Sequence, residues 1–232
     1  MIKLSFARLS GLCATALFLA LTGGCSVLRP TATPQPSLYS LDSAVRDGRA
    51  ATRAPAPLSV AAPTLIVNPP HAASGFDGQR IVYVREAHKL EYFAHAEWVD
   101  TPARMLAPLI VAAIEGDGTF RAVVLTPSAA AGDLRLDTEI KRLQHEFGSQ
   151  PSRVRFTLRA YIVANATRRV LAWREFDETV AAASEDPYGG VVAANRAVQA
   201  VLEQLASFCA KATENWRPTA ASAPGRAEAN AR

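Results

Sequence analysis

The sequence predicts an α+β fold: a single domain whose mixed, mostly antiparallel sheet carries two amphipathic helices on one face. Three observations point there. Residues 134–147 and 153–163 alternate apolar and polar side chains, the period of strands with one face buried and one wet. Residues 102–116 and 188–216 instead repeat apolar residues every three or four positions, the period of helices lying on a core. Finally, the helices follow runs of strands rather than alternating with them one for one, which favours an antiparallel or mixed sheet over a doubly wound parallel one.

The elements read in order as follows. Residues 37–43 (SLYSLDS) form a first candidate strand, followed by a loose Ala-, Arg- and Pro-rich stretch at 44–57. Leu58, Val60 and Ala62 alternate up to Pro63, and Leu65 and Val67 resume on the other phase, so the proline marks an edge or a bulge. Asn68-Pro69-Pro70 and 74–78 (SGFDG) are loops, while 80–85 (RIVYVR) and 89–93 (KLEYF) are short strands. Thr101-Pro102 opens a helix, with the threonine as N-cap and the proline in the first turn. Met105, Leu106, Leu109, Ile110, Ala113 and Ile114 form its apolar face, and Gly116 ends it.

After a Gly-Asp-Gly turn, 120–125 (FRAVVL) reads as a strand. In 134–147, Leu134, Leu136, Thr138 and Ile140 share one face, and the phase then flips to Leu143, His145 and Phe147. A bulge is predicted near Lys141 and Arg142. In 153–163, Val154, Phe156, Leu158, Ala160 and Ile162 alternate with Arg153, Arg155, Thr157, Arg159 and Tyr161, as expected of an antiparallel strand with one wet face. Residues 165–168 turn the chain into 170–180, a hairpin. The closing helix carries the stripe Val191, Ala194, Val198, Val201, Leu202, Leu205, Phe208, Cys209 and Ala212.

Ahead of the domain lies a short basic head with Lys3 and Arg8, then an apolar run at 9–21 of signal-peptide length, too short to span a bilayer comfortably. Thr22-Gly23-Gly24-Cys25 follows and resembles the lipobox of bacterial lipoproteins, with Thr22 standing where that pattern commonly has Leu. The resemblance implies cleavage before Cys25, a diacylglycerol thioether on its sulfur and an acylated amine. Two or more acyl chains make membrane attachment effectively stable. Ser26 in place of an aspartate leans towards the outer membrane, on the periplasmic side of the envelope. The expected organisation is a signal peptide at 1–24, a lipidated cysteine and extended tether at 25–37, one domain at 38–216 and a disordered tail at 217–232.

The formal charge of +4 loses the two positive charges of Lys3 and Arg8 with the signal and becomes +2, too little to argue for a nucleic-acid partner. With Cys13 removed and Cys25 acylated, Cys209 is left alone on an apolar helix face, where it reads as a small buried hydrophobe and rules out an internal disulfide. Nucleotide, hydrolase and metalloprotease motifs are absent. His88 and His95, seven residues apart, are not spaced to converge on one metal, and the nearby Glu91, Glu97 and Asp100 read as a solvated edge. No catalytic residue, metal site or cofactor is therefore assigned. Gly189-Gly190 reads as a turn into the last helix rather than an anion cradle. Arg153, Arg155 and Arg159 make a basic stripe that is either a solvated face or a contact for lipid headgroups or an acidic partner.

The assembled pattern is similar to that of the ABC-type transport auxiliary lipoproteins. The resemblance runs through Tyr39-Ser40-Leu41, the 65–70 segment (LIVNPP), 75–85 (GFDGQRIVYVR), Leu90-Glu91-Tyr92, and Trp98-Val99-Asp100-Thr101-Pro102 leading into Met105-Leu106-Ala107-Pro108-Leu109. It implies a non-catalytic periplasmic lipoprotein that accompanies an ABC permease, its ATPase and an MCE-domain substrate-binding protein. Such a system moves phospholipids or similar hydrophobic molecules between the inner and outer membranes; a homo-oligomer is compatible with it. Cys25 is the anchoring residue, and Phe76, Tyr92, Trp98, Arg153, Arg155 and Arg159 are candidate partner contacts. The rival reading is a structural lipoprotein for outer-membrane assembly or cell-wall binding. An apolar groove between helices and sheet would favour lipid handling, and a flat polar face would favour scaffolding.

Overall fold

The computed structural model describes residues 35–42, 62–214 and 216. The leader, Cys25, the tether up to residue 34, the stretch at 44–57, the alternation at Leu58 and Val60 and the tail at 217–232 lie outside the described residues; the last tether residue, Ser37, is instead the first of β1. Among those described, the chain runs β1 (Ser37–Tyr39), β2 (Thr64–Val67), β3 (His71–Ala72), β4 (Arg80–Val84), β5 (Glu91–Trp98), α1 (Pro102–Glu115), β6 (Ala122–Leu125), β7 (Leu134–Glu146), β8 (Arg153–Ala164), β9 (Arg169–Ala181) and α2 (Pro187–Thr213).

The sheet is organised by β7. One of its edges carries β8 along its length, antiparallel, and β8 in turn carries β9, also antiparallel. The other edge is shared by three short parallel strands: β2 on Leu134–Leu136, β3 on Glu139–Ile140 and β4 on His145–Glu146. Outside these, β6 adds parallel to β2, while β5 pairs antiparallel with β4 and carries β1 parallel on its far side. The longest ladders are thus antiparallel and the short ones mostly parallel, a mixed open sheet.

The phase flip in β7 is a real irregularity in the ladder. Its register against β8 shifts between Ile140 and Arg142, and the buried positions run Leu134, Leu136, Thr138 and Ile140, then Leu143 and His145. One extra residue exchanges the faces of a strand, because side chains alternate with a period of two. β8 keeps Val154, Phe156, Leu158, Ala160 and Ile162 inside throughout.

Both helices cover the apolar face. α2 lies across β7, β8 and β9, with Val198, Val201, Leu205 and Cys209 buried, and α1 packs beside it and against β6 through Leu106, Ile110 and Ile114. Thr101 occupies the N-cap position, but its hydroxyl makes no cap bond; Asp100 instead accepts from the Thr101 amide at 2.7 Å and pairs with Arg104 at 3.1 Å. Pro108 sits on the exposed side of α1, where the one backbone bond it forfeits faces water.

The differences from the sequence reading fall on the weakly patterned elements. β5 is longer than 89–93, because only Ala96 and Trp98 are fully buried and the alternation is too short to read. β3 has two residues and exists only because the β7 edge receives them. α2 ends at Thr213, and the Trp216 amide donates to the Thr213 carbonyl at 2.9 Å in a closing turn.

Leu158 is fully buried at the centre of β8, between two ladders and beneath α2. Leu158→Ala is expected to cost about 2–5 kcal/mol in denaturant unfolding. A loss below about 1 kcal/mol would mean that this strand is not the centre of the core.

Candidate functional site

The two helices do not close on each other completely. Between them, walled at one side by β1 and the residues after it, runs a groove of about 830 Å³, within the size range of small-molecule sites. Its lining is largely apolar: Leu109 and Ala113 from α1 face Val192, Val198, Leu202 and Ala206 from α2. Small side chains at Ala113 and Ala206 leave space that larger ones would fill. Arg196, Glu203 and Asp117 add charge around it, and exposed apolar side chains stand at its margin: Leu38 is 61 % exposed and Tyr188 64 %. Leu109 and Ala113, which the helical period assigns to the core face, are half-buried and belong to the groove. A stripe of apolar residues reports that a face is covered, not by what.

The β1 wall is only three residues long and is held by its surroundings. The Asn195 side chain accepts the Asp42 amide at 2.9 Å and donates to the Ser40 and Val191 carbonyls, each at 3.1 Å. On the other side the Val99 amide donates to the Tyr39 carbonyl at 2.8 Å, and Leu41 is buried with its amide 3.5 Å from the Met105 sulfur. Asn195 thus ties α2 to the wall of the groove it lines.

The candidate partner contacts are dispersed. Cys25 lies outside the described residues. Phe76 is half-buried in the loop after β3; Tyr92 is half-buried on β5 beneath the Arg80 guanidinium, 3.7 Å from its ring centroid; Trp98 is in the core. None of the three lines the groove. Each arginine of the β8 stripe is matched by a carboxylate on a neighbouring strand: Arg153 by Glu146 at 3.5 Å, Arg155 by Asp177 at 2.5 Å and Arg159 by Glu175 at 2.6 Å. The stripe therefore carries little net charge. The bond from Arg155, helped by Thr157, holds Asp177 below the usual carboxylate range against the opposing effect of burial.

A polar cluster that no sequence motif announces sits where α2 begins. The imidazole of His145, 1 % exposed, places Nε2 2.8 Å from the hydroxyl of the fully buried Ser152, whose amide donates to Glu185 at 2.8 Å. The other ring nitrogen, Nδ1, is buried without a hydrogen-bond partner. Serine stands between histidine and acid here, whereas nucleophile activation requires histidine between serine and acid. The cluster is buried, and it fastens the β7–β8 strands to the approach of α2.

Gly189-Gly190 belongs to the same junction. The Gly189 amide donates to the N-cap carboxylate of Asp186 at 2.7 Å and so is already occupied. A Cβ on Gly190 would lie 2.5 Å from His145 Nδ1, and one on Gly189 would lie 2.3 Å from the Ser184 carbonyl oxygen. The glycines allow close approach of the helix start to the sheet. Among the described residues no three His, Cys, Asp or Glu side chains gather as a metal site would require, and no helix is long and apolar enough to cross a membrane.

Comparisons with known proteins agree with this architecture. The family model for the ABC-type transport auxiliary lipoprotein component matches residues 39–206. Among solved structures, a DUF330 protein of Xanthomonas campestris is similar at 24 % identity and a TM-score of 0.60, over 65 % of this chain and 85 % of that one. An uncharacterised protein is similar at 12 % identity and a TM-score of 0.55, over 76 % of this chain and 97 % of that one. These two likenesses show the fold. A lipoprotein of Neisseria meningitidis matches at 14 % identity and a TM-score of 0.34, over 62 % of this chain and 98 % of that one. No curated protein matches the chain.

The buried cluster makes stability depend on pH. Burial pushes His145 below its ordinary value of 6.5, although Glu185 and Asp186 oppose this. The unfolded chain therefore takes up a proton that the folded chain refuses, and stability falls as pH drops below about 6.5 towards the lowered folded value. Glu185, Asp186 and Asp177, all held low by their hydrogen bonds, add a second loss at more acid pH, as the pH falls below their unfolded values and through the lowered folded ones. Denaturant unfolding should show the protein less stable at about pH 5.5 than at about pH 7.5, and His145→Gln should lack that difference. Equal stability of the native chain at both pH values would overturn the reading.

Proposed function

The chain belongs to the family of ABC-type transport auxiliary lipoprotein components, and from that membership we propose that it is a non-catalytic, lipid-anchored envelope protein serving an MCE-type transport system. In this reading Cys25 carries the anchor and the domain faces the periplasm, with the outer membrane favoured by Ser26. The permease and its ATPase supply the membrane path and the energy, and the MCE-domain protein binds substrate. The auxiliary chain offers a tethered apolar surface to phospholipids or similar molecules in transit between the two membranes.

The observation that carries this reading is the groove. An open, apolar channel between α1 and α2, with charge confined to a few side chains, suits an acyl chain whose headgroup remains in water. Burying a hydrocarbon chain there is favourable in proportion to the area removed from water, at about 25 cal/mol per Å².

The test is purification of the tagged, lipidated protein from gently solubilised envelope, with mass spectrometry of the proteins and lipids that accompany it. An MCE-domain protein or an ABC permease, with enriched phospholipid, is the expected result. Val192→Asp, at a half-buried position in the groove wall, should lower the bound phospholipid several-fold and leave partners and cooperative unfolding unchanged. Recovery of outer-membrane assembly factors or cell-wall fragments in their place would support the structural alternative and overturn the transport role.

Anchoring is tested separately. Cys25→Ser should yield an unlipidated chain with the same domain stability and no transport-linked function. Full complementation by that variant would remove the anchor from the mechanism.

A further inference from the structure

The first turn of α2 is the least anchored part of that helix. Pro187 is half-buried, Tyr188 is exposed, and the two buried residues that follow, Gly189 and Gly190, have no side chain to pack. The first side chain of α2 fully buried in the core is that of Val191. Glycine is also the poorest helix former after proline. What holds the turn is polar. The Asp186 carboxylate caps the Gly189 amide at 2.7 Å, Glu185 accepts the Ser152 amide at 2.8 Å, and Gly190 lies directly over the His145 ring.

That ring sits where a positive charge is hard to keep. An imidazolium carries a proton on both nitrogens, so a charged His145 would bury an N–H at Nδ1 with no acceptor, whichever tautomer the neutral ring adopts. Its surroundings do not compensate. Tyr83 of β4 and Val154 of β8 lie opposite it in register, and the rings of Phe93 on β5 and Phe147 stand 6.2 and 4.2 Å away between centroids. Arg85, over the Tyr83 and Phe147 rings, adds a cation on that side, and the first turn of α2 presents the positive end of its dipole. The two carboxylates that attract the ring, Glu185 and Asp186, already accept the amides that fix the turn. Burial outweighs them and holds the ring below its ordinary value of 6.5. A charged ring gains water or a carboxylate only if the turn above it moves away.

We propose that His145 is a pH-operated latch: when its ring takes up a proton, the first turn of α2 lifts from the sheet while the strands and the rest of the helix stay in place, and Tyr188 leaves the margin of the groove. The turn moves rather than the strand, because β7 is bonded on both edges at His145 whereas the turn withdraws no large side chain from the core before Val191. Elements of low local stability open without global unfolding. The latch is a property of the fold and holds whether or not the groove takes lipid.

The test is hydrogen exchange of the full-length protein, read by mass spectrometry from about pH 7.5 to about pH 5.5 and corrected for the intrinsic rate. The amides of Gly189, Gly190 and Val191 should exchange about fivefold to tenfold faster at the acid end, because a released imidazole about a pH unit below its ordinary value is about nine-tenths protonated. Over the same period β8 and the second half of α2 should stay protected. Loss of protection only in step with β8 would mean global unfolding, and an onset only below about pH 4.5 would mean that the carboxylates respond instead; either overturns the proposal. His145→Gln keeps a polar group but takes no charge, and it should abolish the acid response; a response unchanged in that variant overturns the proposal. Gly190→Ala, whose Cβ would meet Nδ1 at 2.5 Å, should leave the turn open at both pH values. A turn in that variant as protected as the native one would show that the ring and the turn are not coupled, and the latch would fall.

Discussion

The architecture depends on how the hydrogen-bonding capacity of β7 is divided. A strand has two edges, and here one is committed to a single long partner while three short parallel strands share the other. Those strands come from different stretches of chain, and each is too short to persist alone. The bulge between Ile140 and Arg142 lets the division work: it re-phases β7, so that Leu143 and His145 still point into the core past the irregularity. Without it, either half of the strand would turn its apolar residues to water.

The start of α2 is fixed by a second constraint, the His145–Ser152–Glu185 relay under Gly190. A helix 27 residues long is a lever, and small changes at its origin become large displacements at its far end. The relay, the Asp186 cap and the glycine approach set that origin, and the burial of Val198, Val201 and Leu205 sets the tilt. With α2 placed in this way and α1 beside it, small residues on the facing surfaces leave the groove. Asn195 then clips β1 across one side.

Periodicity made the fold class legible, because β7, β8 and both helices are long enough for one face to be consistently apolar. Even the β7 bulge was visible, as a phase error between Ile140 and Leu143. The distributed family pattern likewise lies in the linear order of residues. The groove was not legible: Leu109 and Ala113 look the same in sequence whether a side chain, a ligand or nothing covers them. Nor was the relay, since His145 and Ser152 meet only across the β7–β8 ladder and Glu185 arrives from the approach to α2. The neutrality of the arginine stripe was hidden for the same reason, because Glu146, Asp177 and Glu175 reach it by register. Local pattern determined which faces are buried. Which buried faces meet, which stay open and which charges cancel was decided by the pairing of distant segments, whose partners the linear order does not contain.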